Sequence, residues 1–279
     1  MAFDPQALLA MPPIETRQTI RPFNVMLYAL GVGATELPFV YEEKLQALPT
    51  MAVTLAYPGF IWLDPKLGVT WQKILHAETS ITLHAPLPIK AEVIGRTCFG
   101  PIFDKGADKG AMLYQTREIT LDDGTPVATV CNTTYLRGDG GHGGSDGEQP
   151  QPHPTPGRDP DAVLMLTTRE EQALVYRLAS GDMNPLHADP AAARAAGFDR
   201  PILHGLATFG VASRALLKLL VEDEPARIRR IDARFSSPVF PGETIETAVW
   251  REGAGKAAFR CRVVERDRIV LSNGYVEFA

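Results

Sequence analysis

From Pro225 onward, apolar and polar positions fall into four short runs, R-I-D-A-R-F, T-I-E-T-A-V-W, A-A-F-R-C-R-V-V and I-V-L-S-N-G-Y-V-E-F. Side chains of an extended chain point alternately to opposite faces, so these runs predict strands with at least one buried face. Turn signals at Pro241-Gly242, at Gly253 to Gly255 and at Asp267 separate them, as an antiparallel sheet requires. Upstream the period changes. Arg169 to Ala179 carries Ala173, Leu174 and Leu178 at helical spacing, with Glu170 and Glu171 in the first turn where the helix dipole favours acids. Asp189-Pro190 predicts an N-cap followed by proline at the first helical position, and Gly197 a stop. Gly205 to Leu220 reads as a longer helix that is apolar nearly all round, hence buried. Its small residues Gly205, Ala207, Gly210 and Ala212 allow close approach to a sheet. A buried helix followed by antiparallel strands is an α+β arrangement.

The chain divides in two. Arg137 to Pro160 is almost entirely glycine, proline and polar residues, which cannot pack a core, and it predicts a linker between units 1–136 and 161–279. The two sides resemble each other when Thr19 to Ala34 is set beside Thr167 to Asp182. Arg21 then falls on Arg169, Tyr28 on Tyr176, Leu30 on Leu178 and Gly33 on Gly181. Further on, H-A-P-L-P (from His84) matches S-S-P-V-F-P (from Ser236), and C-N-T-T-Y (from Cys131) matches S-N-G-Y (from Ser272). Each unit is expected to run helix first and strands after, with the two sheets edge to edge.

Composition narrows the class. With 279 residues, 45% hydrophobic and 22% charged, the chain has the make-up of a soluble globular protein. A net charge of -5 and a pI near 5.7 give no general attraction for nucleic acid or anionic lipid. The run Arg227, Arg229, Arg230 and Arg234 is the local exception, read either as a solvated face or as a surface meeting phosphates. Cys98, Cys131 and Cys261 lack any C-x-x-C spacing, which argues against a disulfide framework or a zinc site and fits a reducing compartment. The N-terminus lacks the basic region of a signal peptide, no apolar stretch reaches the ~18–20 residues of a membrane span, and V-E-F-A is not a peroxisomal signal. The expected location is the cytoplasm.

Candidate chemistry gathers in S-G-D-M-N-P-L-H-A-D-P, from Ser180 to Pro190. Asp182 ends a helix, where the dipole disfavours a carboxylate. Pro185 keeps Asn184 extended, so the stretch bends and can bring Asp182 and His187 to one water. Taken alone, the pair is equally a helix-ending acid and a histidine satisfied by backbone. The next stretch, R-P-I-L-H-G-L-A-T-F-G, opens the buried helix with Gly205, whose N–H has no intrahelical acceptor and no side chain beside it. That suits either close packing or a developing oxyanion. Asp182, His187, Asp189 and His204 could ligate a metal, but they form neither H-E-x-x-H nor a cysteine cluster, so no metal is expected. There is no G-x-S-x-G or G-K-[ST], and G-V-G at Gly31 to Gly33 lacks the strand and third glycine of a dinucleotide fingerprint.

Y-R-L-A-S-G-D-M-N-P-L-H-A-D-P, with A-G-F-D-R-P-I-L-H-G-L-A-T-F-G after it, closely resembles the (R)-specific 2-enoyl-CoA hydratases, or hydratase 2, of the MaoC-like dehydratase group. Y-A-L-G-V-G-A, F-V-Y-E, L-P-T, G-D-G-G-H-G-G and A-R-F-S-S-P-V-F-P-G-E-T extend the likeness to the two-hot-dog form. The resemblance implies a double hot-dog fold, each unit a long buried helix wrapped by an antiparallel sheet. It also implies a dyad of Asp182 as chief base and His187 as water-orienting proton donor. Gly205 N–H would act as the oxyanion donor and Asn184 would support the dyad. By alignment Asp182 falls on Ala34 and His187 on Phe39, so the first unit would be a degenerate copy that accommodates the acyl chain. Glu42, Asn132, Arg234 and Phe235 are candidate substrate-binding residues on the same ground. Met183 and His142 depart from the usual pattern, in which aromatics stand at those places. The implied reaction is reversible hydration of a trans-2-enoyl-CoA to a (3R)-3-hydroxyacyl-CoA, within fatty acid β-oxidation, by a homodimer. No cofactor is expected, since CoA arrives on the substrate. The alternatives are a dehydratase for acyl-carrier-protein substrates or for a mesaconyl-type or sterol side-chain thioester, and a non-catalytic acyl-CoA-binding subunit. A thioesterase is disfavoured by the G-D-x-N-P-L-H spacing.

Overall fold

The computed structural model describes residues 3–279. Its ten strands are β1 (Ile14–Ile20), β2 (Ile74–Leu83), β3 (Ala91–Asp104), β4 (Ala111–Leu121), β5 (Pro126–Leu136), β6 (Ala162–Thr167), β7 (Ile228–Phe235), β8 (Thr244–Arg251), β9 (Lys256–Val263) and β10 (Arg268–Phe278). They form one sheet in the order β1-β3-β4-β5-β2-β7-β10-β9-β8-β6. Read from either edge the connectivity is the same, which is the internal repeat expressed as topology. The halves meet where β2 pairs antiparallel with β7, Glu78 opposite Arg234, Thr79 opposite Ala233 and Ile81 opposite Ile231.

The six α-helices are α1 (Pro5–Leu9), α2 (Pro22–Gly31), α3 (Leu37–Val40), α4 (Gln172–Ser180), α5 (Pro190–Ala195) and α6 (Gly205–Leu220). The arrangement is α+β, a double hot-dog. The expected bounds of α6 hold, and Ala207 through Leu217 are buried. Asp189 caps α5, accepting from Ala191 N–H, with Pro190 at its first position. Segment 137–161, between β5 and β6, contains no strand or helix and is tied along the sheet. Asn273 donates to His153 O at 2.7 Å, and Trp250 Nε1 donates to Arg158 O at 2.7 Å.

Two expectations need correction. In each half a strand stands ahead of the repeated helix: β1 precedes α2, with the short α1 before it, and β6 precedes α4. Both are edge strands with an exposed face, and I-E-T-R-Q-T-I offers too few apolar residues to announce itself. The long buried helix occurs in the second half alone. In the first, its place beside β2 and β5 is taken by a 3-10 turn, Pro49–Thr54, whose residues Pro49 to Val53 are buried. Pro49 and Pro58 leave room between them for about two helical turns, and Thr50, Val53 and Thr54 are β-branched.

The halves share one core. Ile81, Val130, Phe39 and Met51 from the first lie in the same apolar cluster as Phe209, Leu216, Ile231 and Phe259 from the second. Tyr28 and Tyr176, matched across the repeat, meet edge to face at 6.0 Å where α2 packs on α4. Of the two glycines on α6, Gly210 is the more closely packed. A Cβ there would overlap the Val32 side chain, its Cβ only 2.9 Å away, and would stand 3.2 Å from the Tyr28 hydroxyl. Gly210→Val should therefore destabilise the fold by about 1–3 kcal/mol through overpacking. The check is a fall in the denaturant midpoint; an unchanged midpoint would show that the two halves do not meet this closely.

Candidate active site

Helix α4 ends at Gly181, which adopts the left-handed conformation (φ 73°) and donates its N–H to Arg177 O. This stop turns the chain and sets Asp182 at the mouth of a cleft. One carboxylate oxygen of Asp182, Oδ1, accepts the Asn184 N–H at 3.1 Å, and Oδ2 takes no hydrogen bond among the described residues. Asn184 in turn accepts from Leu186 N–H and caps a single 3-10 turn, Pro185–His187, that carries the imidazole inward. The first residue of the dyad is exposed and the second buried.

His187 Nδ1 lies 2.9 Å from Ile202 O. A carbonyl accepts only, so Nδ1 holds the proton and Nε2 of the neutral ring presents a lone pair. Burial pushes the His187 pKa down, which keeps the ring neutral. Its plane stacks on His204, with centroids 3.7 Å apart and an interplanar angle of 23°. His204 Nε2 donates to the backbone O of Asp182 at 3.3 Å, and its Nδ1 is buried without a partner. Burial, with the His187 charge second, takes the His204 pKa down to about 4. Asp182, His187 and His204 each offer one atom, all within 4.8 Å of one another. Such a trio invites a metal, but nearly parallel stacked rings send their in-plane lone pairs side by side instead of converging on one ion, and the fit is poor.

Gly205 opens α6, and its N–H finds no backbone acceptor among the described residues. A Cβ at Gly205 would stand 3.2 Å from the Phe235 ring, so the glycine lets that ring close over the helix start. Phe235 packs in turn on His76 of β2, with centroids 4.8 Å apart. His76 Nε2 lies 3.1 Å from Glu78 O, and Asn132 stands beside the ring. His76 is itself exposed, while the protein packed closely around its ring pushes its pKa down. Tyr57 also lies close enough for the Asp182 charge to raise its pKa, although burial is the larger cause.

The site is thus shared by both halves. Of the residues singled out in the sequence, Asp182, Asn184, His187, Gly205, Phe235 and Asn132 converge on the cleft. Asn132 Oδ1 accepts from Thr79 Oγ1 at 2.7 Å. Arg234 forms an ion pair with Glu78 at 2.6 Å across the β2–β7 seam. Glu42 is exposed on the bend after α3, and no hydrogen bond ties it to this cluster among the described residues. Met183 is exposed at the mouth, and His142 packs edge-on against Phe3. The basic run is spent internally: Arg227 and Arg229 donate to backbone carbonyls, and Arg230 pairs with Asp232. In the first half the places of the dyad are filled by core, Ala34 and Phe39 being buried, and Glu36 is held by Arg214 and Lys218 of α6.

Sequence reasoning noted His204 as a possible ligand only, and missed His76 and Tyr57. For His204 the signal was its place directly before the helix that carries Gly205. His76 and Tyr57 carry no local mark.

Comparison with known proteins adds the lineage. A family model described as a MaoC like domain matches residues 151–273, and one described as the MFE-2 hydratase 2 N-terminal domain matches residues 19–138. The 3-hydroxyacyl-thioester dehydratase Y of Mycobacterium tuberculosis is 44% identical over 100% of this chain and 99% of its own length. Enoyl-CoA hydratase 2, peroxisomal, of Arabidopsis thaliana is 38% identical over 99% of this chain and 95% of its own. The crystal structure of a MaoC-like dehydratase from Phytophthora capsici superposes with a TM-score of 0.90 at 35% identity, covering 98% of both chains. Among the described residues no helix is long and apolar enough to cross a membrane.

The buried imidazoles make stability depend on pH with a definite sign. An unfolded histidine titrates near ~6.5. His204 titrates near 4 in the fold, so between those values the unfolded chain binds more protons. Stability is full above the unfolded value and falls as pH drops toward the folded one. Denaturant unfolding at pH 7.5 and pH 5 should show this loss, and His204→Asn should make it shallower. The same loss in the variant would mean that His204 is not held neutral.

Proposed function

The chain belongs to the MaoC-like hydratase 2 family of hydro-lyases, and we propose that it hydrates trans-2-enoyl-CoA thioesters reversibly to (3R)-3-hydroxyacyl-CoA. One observation carries this reading: a carboxylate and a neutral imidazole, both hydrogen-bond acceptors, face one space beside the unpaired N–H that opens α6. Two acceptors hold a water by its two hydrogens and leave its lone pairs toward the substrate.

With the thioester oxygen at Gly205 N–H, the water oxygen adds to C3 of the conjugated double bond. Its proton passes to the dyad as the bond forms. Electron density moves through C2 to the thioester oxygen, where the amide stabilises the enolate. The enolate then collapses and C2 takes up the proton, so H and OH are added to one face and nothing else is consumed. Asp182 was expected as chief base and His187 as proton donor. The Nδ1 contact to Ile202 O argues for a shared role instead, because His187 has no Nε2 proton to give until it has taken one from the water. Asn184 fixes the turn that sets the distance between the two groups. Dehydration is the same path reversed, in keeping with the name of the mycobacterial relative.

The first half is proposed to receive the acyl chain. The short segment Pro49–Thr54 stands where the second half has its sixteen-residue helix, and Tyr57 just after it reaches the Asp182 neighbourhood. No group beyond the substrate's own CoA enters this scheme.

Asp182→Asn and His187→Ala should each lower kcat for hydration by at least about a hundredfold while the unfolding transition stays cooperative. Loss of the conjugated thioester absorbance measures the rate. Oxidation of the product by an (R)-specific but not an (S)-specific hydroxyacyl-CoA dehydrogenase tests the stereochemistry. Near-normal turnover by either variant, or an (S) product, would overturn the assignment.

A further inference from the structure

A plain alkyl chain needs an apolar wall, and the inner face of the first half does not supply one throughout. Antiparallel register sets Ala233 of β7, Thr79 of β2, Asn132 of β5 and Gln115 of β4 side by side in one row across the sheet. Phe235, two residues beyond Ala233 and so on the same face, is the ring that packs against Gly205. Thr79 Oγ1 donates to Asn132 Oδ1 at 2.7 Å, and Thr134 Oγ1 donates to Gln115 Oε1 at 2.9 Å. Both amide oxygens are thereby engaged. The two amide nitrogens, which only donate, give no hydrogen bond to protein among the described residues.

Two residues along β4 from Gln115, on the same face, stands Arg117, with Thr97 of β3 directly opposite. Arg117 is only 3% exposed. Its Nη2 donates to Val53 O at 2.6 Å, while its Nε and the Thr97 hydroxyl are buried without a partner. Burial pushes the Arg117 pKa down to about 10, and the one charge partner opposing this is the Tyr57 phenol, not a carboxylate. The guanidinium lies 5.3 Å from the centre of the Tyr57 ring, and Tyr57 in turn feels the Asp182 charge. Tyr57 thus links the buried cation to the cleft. A buried cation without a counter-charge is costly. Spare N–H donors that lead from the reacting end toward such a cation suit an acyl group with an anionic oxygen at its far end.

We propose that the acyl group this chain takes ends in a carboxylate, which passes the Asn132 and Gln115 amides and is met by Arg117. The substrate class is then the ω-carboxy-2-enoyl-CoA thioesters. This deepens the enoyl-CoA reading above and rests on it.

The test compares trans-2-enoyl-CoA substrates of equal length that end in a methyl, a carboxylate or a carboxamide, over medium and long chains. Wild type, Gln115→Leu and Arg117→Gln are each assayed with all three, so a general loss of folded enzyme cancels within a variant. Wild type should favour the carboxylate in kcat/KM by at least about tenfold over the other two. Arg117→Gln should lose that preference, and Gln115→Leu should shift it toward the methyl substrate. A wild-type preference for the methyl end, equal use of carboxylate and carboxamide, or a carboxylate preference that survives in Arg117→Gln would overturn the proposal. Calorimetric titration with the saturated ω-carboxyacyl-CoA probes the pocket without turnover. It should bind at least about tenfold more tightly than its methyl counterpart, and equal binding would contradict the assignment. Tighter binding of the carboxylate with no hydration of any enoyl-CoA would leave the pocket right and the reaction wrong. Hydration of all three substrates without preference would do the reverse.

Discussion

Everything in this molecule depends on the antiparallel pairing of β2 with β7. That seam turns two five-stranded halves into one sheet, merges their apolar faces into a shared core, and brings His76 of the first half, with Asn132 beside it, against Phe235 of the second. The Glu78–Arg234 pair fastens it. Neither half contains the whole site. The loop with the acid and imidazole belongs to the second half, while part of the cleft wall belongs to the first.

Duplication with divergence explains the asymmetry within this symmetry. Connectivity is preserved strand for strand, and Tyr28 and Tyr176 still face each other across the pseudo-dyad. The first half has lost its long helix and filled the places of Asp182 and His187 with the buried Ala34 and Phe39. Glu36, in the corresponding loop, is tied to α6 through Arg214 and Lys218. One copy keeps polar groups unpaired at a cleft; the other has closed the matching place with core and ion pairs. An unpaired buried polar atom costs stability, and the His204 Nδ1 carries such a cost beside the place where function is proposed to reside.

Much of this was legible from residues alone. The span of α6, the cap of α5 and the four strands after Pro225 followed from periodicity and turn chemistry, because burial and conformation agree there. The edge strands β1 and β6 were hidden by their polar, half-exposed pattern. A long helix was expected in the first half by analogy with the second, yet Pro49 and Pro58 forbid it. Asp182, His187 and Gly205 stood out through motif and position. The stack of His204 on His187 and the approach of His76 arise only when distant segments meet, so no local pattern could announce them.

The central claim is that one water sits between Asp182 and His187 while a thioester oxygen meets the amide that opens α6. A crystal structure of the inactive Asp182→Asn variant with an unreacted trans-2-enoyl-CoA tests it most directly. The account predicts the thioester oxygen within hydrogen-bonding distance of Gly205 N–H, and C3 of the double bond facing a water held by position 182 and His187 Nε2. A thioester bound elsewhere, or one whose double bond faces away from the dyad, would contradict it.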